Sequence, residues 1–128
     1  DDLSHIEKFD RALELLGEKS LEVFIQVSLD GNPNRSGLKA SAVLEACEVV
    51  ANSSHLNLMG VMTVPPVESD PEKSFAEIAE IAAKVRNAFP EARYLSAGMS
   101  GDFERAVALG ATHVRVGSAI FGSRAYEI

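Results

Sequence analysis

The chain has 128 residues, a formal net charge of −7, 46% hydrophobic residues and a single Cys. That length fits one compact domain, and so apolar a composition with mixed charge excludes a disordered chain. There is no apolar run near the ~20 residues that cross a bilayer, no basic-then-apolar start, and no Cys pair for a disulfide or a zinc site. A reducing cytoplasm is therefore the expected setting. A pI near 4.9 argues against a nucleic-acid partner, because a phosphate backbone asks for a basic surface, and without a spanning segment no membrane partner is expected either. A local anion site remains open to it, built from backbone amides and one Arg.

Helix and strand patterns alternate along the chain. Residues 4–16 (SHIEKFDRALELL) begin with a candidate N-cap, Ser4, and put Ile6, Phe9, Leu13 and Leu16 on one face before Gly17. Residues 22–29 (EVFIQVSL) read as a buried strand, and DGNPNRSG, 30–37, as loop. The spacing predicts a helix over about 39–52, with Val43, Leu44, Cys47 and Val50 as its apolar stripe. Residues 57–64 (NLMGVMTV) read as a strand ended by Pro65-Pro66. Asp70 then caps a helix with Pro71 in its first position and Phe75, Ile78, Ala82, Val85 and Phe89 on its buried face, stopped by Pro90. A short strand, 92–97, a turn, 98–101, a helix, 102–109, and a last strand, 112–116, complete the order before GSAIFG.

Such alternation implies right-handed parallel βαβ units. Two architectures fit: a small open doubly wound sheet, or half of a (β/α)₈ barrel, which takes ~250 residues when complete. Strand parity separates them. Val23, Ile25, Val27 and Leu29 share one face, while Phe24, Gln26 and Ser28 share the other. His113 and Arg115 alternate with Val114 and Val116, and Ser96 lies between Leu95 and Ala97. A sheet covered on both faces is aliphatic on both. One aliphatic and one polar face favour a barrel whose lumen opens at the C-terminal ends of its strands.

The chemistry concentrates in SAGMSGDFERA (96–106) and RVGSAIFG (115–122). Each is a strand end, a small-residue turn and a helix start. Gly98 and Gly117 remove side chains where a ligand could approach, and Ser100 and Ser118 bring hydroxyls beside unpaired helix-start amides that suit a phosphate. Taken singly, Ser100 reads as a helix cap and Gly117 as a turn. Together, on neighbouring strands, they favour a phosphate site of the kind that follows the last two strands of (β/α)₈ barrels. Arg115 points into the lumen and needs an acceptor, either an acidic side chain or a ligand ring nitrogen or anion. Met62 and Thr63 could line the same pocket. His5, His55 and His113 have no metal-ligand spacing, Glu68, Asp70 and Glu72 read as a solvated helix entry, Arg35 as a solvated loop residue with contact to a ligand as the lesser alternative, and Cys47 as core. Lys8, Lys39, Lys73 and Lys84 fall on helices or their entries and Lys19 in a turn, so no strand offers an amine to the lumen.

At these residues the chain resembles a known family. LSAGMSGD (95–102) and RVGSAIFG (115–122) are similar to the LSMGMSxD and RIGTAIFG segments of the pyridoxal-phosphate homeostasis proteins, with Ala97 for Met and Ser118 for Thr. LMGVMTVPP (58–66) resembles that family's GLMxIP strand, and NRSGL (34–38) its KSG(I/L) loop. The resemblance implies an alanine-racemase-type (β/α)₈ barrel, of which this chain would be the C-terminal half, beginning after the fourth strand. It implies pyridoxal 5′-phosphate (PLP) as cofactor and a carrier or regulator role without catalysis. The phosphate would rest on Ser100, Gly117 and Ser118, with backbone from Met99, Ser96 on the same wall and Arg115 near the pyridine ring. The family's Schiff-base lysine belongs to the other half, so PLP binding by this chain would be non-covalent, and its open strand edges would invite self-association or pairing with that half. A PLP-dependent racemase is the alternative, but it needs an acid/base pair beside the ring, and no Tyr or His stands in a suitable place beside the motifs, Tyr126 being in the tail. Another phosphate-binding barrel enzyme is a further alternative.

Overall fold

A computed structural model describes residues 2–17, 20–66 and 68–122. The elements run α1 (Leu3–Leu15), β1 (Leu21–Ser28), β2 (Leu38–Lys39), a 3-10 turn (Ala40–Ala42), α2 (Val43–Ala51), β3 (Leu56–Thr63), α3 (Pro71–Ala88), β4 (Tyr94–Met99), α4 (Phe103–Ala108), β5 (His113–Arg115) and α5 (Ser118–Phe121). The strands form one parallel sheet in the order β2-β1-β3-β4-β5. Apart from the two-residue β2, each strand lies beside the next in sequence, as in a barrel wall; a doubly wound sheet can share that order, but it carries helices on both faces.

The sheet buries one face. Ile25, Val27, Val61, Leu95 and Ala97 pack with Val43, Ala46, Cys47 and Val50 of α2, Phe75, Ile78 and Val85 of α3, and Ala106 of α4. Phe75 and Ile78 are essentially inaccessible, and burying a side chain of that size contributes about 2–3 kcal/mol. The opposite face carries Phe24, Gln26, Met62, Tyr94, Ser96 and Arg115, as parity predicted. Near its N-terminal end the His113 ring meets Phe24 at 5.5 Å and Tyr94 at 5.3 Å between centroids, both edge-on.

Gly60 makes that ring cluster possible. It lies in register with Phe24 on one side and Tyr94 on the other, and its φ is +153°. A Cβ there would sit 1.8 Å from the Tyr94 carbonyl oxygen, so only hydrogen fits. The local kink coincides with a register shift between Val23 and Phe24 on β1, a bulge of the kind that bends a sheet toward closure.

Several boundaries depart from the sequence reading. α1 is capped by Asp2, whose Oδ1 accepts the Ser4 N–H at 2.8 Å, and Ser4 lies inside the helix. That bond holds the Asp2 carboxyl below its ordinary value. Of the predicted stripe only Ile6 is buried and Leu13 half-buried; Phe9 is 56% and Leu16 75% exposed, because α1 rests chiefly on α2 through a narrow seam. The predicted 39–52 helix begins at Val43, since Leu38–Lys39 pairs with β1 and Ala40–Ala42 make a 3-10 turn. The stripe rotates accordingly: Ala46 is buried and Leu44 is 46% exposed. The strand expected at 92–97 runs Tyr94–Met99, so Gly98 and Met99 belong to the strand and not to the turn. The Asp70 cap (Glu72 N–H to Oδ1, 3.1 Å), Pro71 at the first position and the Pro90 stop stand as read.

Two measurements probe this packing. Gly60→Ala should lower the free energy of unfolding by about 2 kcal/mol or more in a urea titration, because backbone has to move; an unchanged midpoint would contradict the close approach. Burial pushes the Cys47 thiol up to about 11. A thiol raised in the folded state stabilises the fold below its unfolded value, and that contribution is lost as pH climbs toward 11. At pH 8 roughly one in a thousand Cys47 side chains would be thiolate, so alkylation should proceed only on unfolding, as mass spectrometry can follow.

Candidate functional site

The C-terminal ends of β3, β4 and β5 meet at one rim of the polar face. The β3–β4 register ends at Met62↔Ser96, and β4 shifts register against β5 between Ser96 and Met99. The strands part there, and side chains take over from the ladder. Arg115 reaches across β4 and donates from Nη2 to the Thr63 carbonyl at 2.6 Å. Its Nε is buried and has no hydrogen-bond partner among the described residues, a costly condition for a donor on a charged group. Burial pushes the guanidinium below its ordinary value, and the nearby Asp102 carboxylate works in the opposite direction. The acceptor of Arg115 in this structure is a backbone carbonyl, where the sequence reading offered an acidic side chain or a ligand.

Ser100 settles the question of its own role in this structure. Its hydroxyl accepts the N–H of Gly117 at 3.2 Å and of Ala119 at 3.1 Å. It caps the turn after β5 and leaves its own helix, α4, whose N-cap Asp102 makes no side-chain cap. The two small-residue corners therefore face each other, with amides of one converging on the hydroxyl of the other. Ser118 opens α5 and is exposed, and nothing stands within 4 Å of where a Gly117 Cβ would be. Met99, Ser100, Gly101 and residues 114–118 line an open hollow of about 740 Å³ at this rim. A second hollow of about 880 Å³ lies at the other end of the sheet, among Glu22, Asn57, Pro90 and Arg93. In barrels of this kind that N-terminal face serves stability.

Other expectations need correction. The Met99 N–H is already held by Asp102 Oδ1 at 2.8 Å, so it is not a free donor. Gly98 makes room for a helix and not for a ligand: a Cβ there would come within 2.7 Å of the Ala106 Cβ. The Thr63 side chain is fully buried on the helix side, where Oγ1 donates to the Val27 carbonyl at 2.8 Å; its backbone carbonyl is what serves the rim. Ser96 is buried on the polar face, next to Met62 and His113 in register. Arg35 is far from solvated. Its Nη2 donates to the carbonyls of Val64 at 2.7 Å and Pro65 at 3.2 Å, and Nη1 stands 3.8 Å from Asp30. A loop rich in Asn, Pro and Gly gave no sign of that long-range contact.

Among the described residues no group of three His, Cys, Asp or Glu side chains could hold a metal, and no helix is long and apolar enough to cross a membrane. Lys39 lies in β2, not on a helix, yet it sits beside Gly31 in a groove shared with Glu77, Glu80 and Lys84, on the helix side of the sheet. Lys84 faces Glu80 at 3.9 Å. Lys19 and Tyr126 lie outside the described residues.

A one-sided parallel α/β sheet with its polar rim at the strand C-termini defines a wall of the alanine-racemase type of barrel. Residues 1–125 match the family described as alanine racemase, N-terminal domain, and the chain belongs to that family. Pyridoxal phosphate homeostasis proteins are among its relatives: that of Corynebacterium glutamicum is 40% identical over 104 residues, covering 81% of this chain and 47% of that protein. The one from Mycobacterium bovis is 45% identical over 111 residues, covering 84% and 43%. The chain thus spans about half the length of these relatives. PipY of Synechococcus elongatus PCC7942, solved without PLP, superposes with a TM-score of 0.85 at 31% identity over 95% of this chain and 59% of that one. PipY with PLP bound gives 0.82 at 30% identity over 95% and 58%.

Ser100→Ala offers a direct check on the facing corners. Losing the shared acceptor should speed hydrogen exchange at the Gly117 and Ala119 amides while changing overall stability by about 1 kcal/mol or less. Unaltered exchange at both amides would mean the corners do not meet in solution.

Proposed function

We propose that this chain is a single domain forming the C-terminal half of a PLP-binding barrel, and that the protein is a non-catalytic PLP homeostasis protein, a carrier or regulator of the cofactor and of amino-acid pools. One observation carries the reading: the Gly117 and Ala119 amides converge on the Ser100 hydroxyl at the rim, and a phosphate oxygen is a stronger acceptor for the same donors. The PLP-bound PipY structure and the relatives' printed names support it.

In this reading Ser100, Gly117 and Ser118 hold the phosphate. Arg115, fastened to Thr63, turns its unpaired Nε toward the ring. Ser96, on the polar face, would line the ring, and Met99 would contribute only contact, its N–H being engaged by Asp102. When bound, PLP supplies an aldehyde that captures primary amines and a ring that withdraws electrons from them. The chain's own residues supply the seat: they bind the anionic end, orient the ring and exclude water beneath it. The described lysines lie on helices or on the helix side of the sheet, so none of them offers an amine to the ring, and this reading takes the binding as non-covalent. The open edges of the sheet, β2 on one side and β5 on the other, pair with a complementary half or with a second copy. A reducing cytoplasm suits the lone buried thiol.

Titrating the chain with PLP, pyridoxal and inorganic phosphate tests the assignment. PLP should bind more tightly than pyridoxal, and Arg115→Met should weaken PLP by about tenfold or more, the worth of a charge-assisted hydrogen bond. Borohydride treatment of the PLP complex should leave no mass adduct. Equal affinity for PLP and pyridoxal would remove the phosphate seat, and a stoichiometric adduct would refute non-covalent binding.

A further inference from the structure

We propose that Arg35 is a positioning residue for the ring end of the site: it acts through Arg115 by holding the segment on which Arg115 is seated. The inference rests on the PLP-binding reading and adds to it a residue outside the rim motifs.

Three consecutive carbonyls leave β3, those of Thr63, Val64 and Pro65. Arg115 takes the first at 2.6 Å from the β5 side. Arg35 takes the second and third at 2.7 and 3.2 Å from the loop after β1. The β3–β4 ladder has already ended at Met62, so strand pairing toward β4 no longer fixes this exit. Two guanidiniums do so instead. The exit is also stiff, because Pro65 and Pro66 fix φ there, and a stiff segment passes a displacement at Val64 and Pro65 on to the Thr63 carbonyl.

Arg35 is itself well anchored. Its Nη1 stands 3.8 Å from Asp30, and Asp30 Oδ1 accepts the Asn32 N–H at 3.1 Å and the Ser28 hydroxyl at 3.2 Å. The end of the loop returns to β1, where Leu38 and Lys39 pair with Val27 and Ser28. An arginine free in solvent would need none of this. A lysine in its place keeps the charge but has one nitrogen where the guanidinium uses two, Nη2 for both carbonyls and Nη1 toward Asp30.

The two ends of the site should therefore respond differently. The Ser100–Gly117 corner belongs to β4 and β5 and does not touch the β3 exit. In Arg35→Ala the affinity for PLP should fall by roughly three- to tenfold, while the affinity for inorganic phosphate changes by less than about twofold. Arg35→Lys should fall between wild type and Arg35→Ala, and carries the test if the alanine variant does not fold. A ligand-free measurement accompanies both: the Arg115 Nε–H resonance should shift in either variant, because its guanidinium is reseated. Equal weakening of PLP and phosphate, unchanged PLP affinity in a folded variant, or an unmoved Arg115 Nε–H signal would overturn the proposal. If wild type binds neither PLP nor phosphate, the functional reading fails, and the Nε–H signal still decides whether Arg35 positions Arg115.

Discussion

A parallel strand set between helices usually has both faces to bury, and a run of aliphatic residues to do it with. This chain covers only one face. Helices α2, α3 and α4 lie over Ile25, Val27, Val61, Leu95 and Ala97, while the other face keeps Gln26, Ser96, Arg115 and a small cluster of rings. That unequal burial is the constraint from which the remaining features follow. It makes the sheet a wall and not a slab, it leaves polar groups at the rim without a helix above them, and it obliges each of them to find an acceptor or donor within the wall.

The rim answers that need with long side chains. Where β3 and β4 part company, the Arg115 guanidinium spans the gap and ends on the Thr63 carbonyl. Where the β4 and β5 corners come together, the Ser100 hydroxyl serves amides from the neighbouring turn and leaves its own helix to other donors. The one donor left over, Arg115 Nε, sits between these two arrangements. A buried donor on a charged group is left unpaired only at a cost.

Membership of the alanine racemase N-terminal domain family puts this wall in the setting where it makes sense. A solved alanine racemase from Corynebacterium glutamicum, at 20% identity and a TM-score of 0.66, shares the fold alone. The more similar PipY retains more of the sequence as well. The two faces of the wall make physical demands of different strictness. The aliphatic face needs only apolar side chains of suitable volume, whereas a serine facing two amides or an arginine reaching a carbonyl admits few substitutes.

Much of this was open to inspection in the order of residues. Period-two alternation in EVFIQVSL announced a two-faced strand, Asp70-Pro71 announced a helix start, and the paired small-residue corners stood out because turn chemistry is local. Other features were not legible. The two-residue β2 is held by its partner and not by its own propensity. Phe9 and Leu16 fit a helical stripe but find no neighbour to cover them. Gly98 is required by a helix that returns eight residues later to touch it with Ala106, and Arg35 looked solvated because the carbonyls it binds are 29 and 30 positions away. By itself the sequence determined the alternation of elements, the apolar face and the identity of the rim motifs, since these depend on neighbours within a turn or two of chain. Tertiary structure alone decided which donor meets which acceptor at the rim, because a hydrogen bond is a matter of a few tenths of an ångström between segments that only packing brings together.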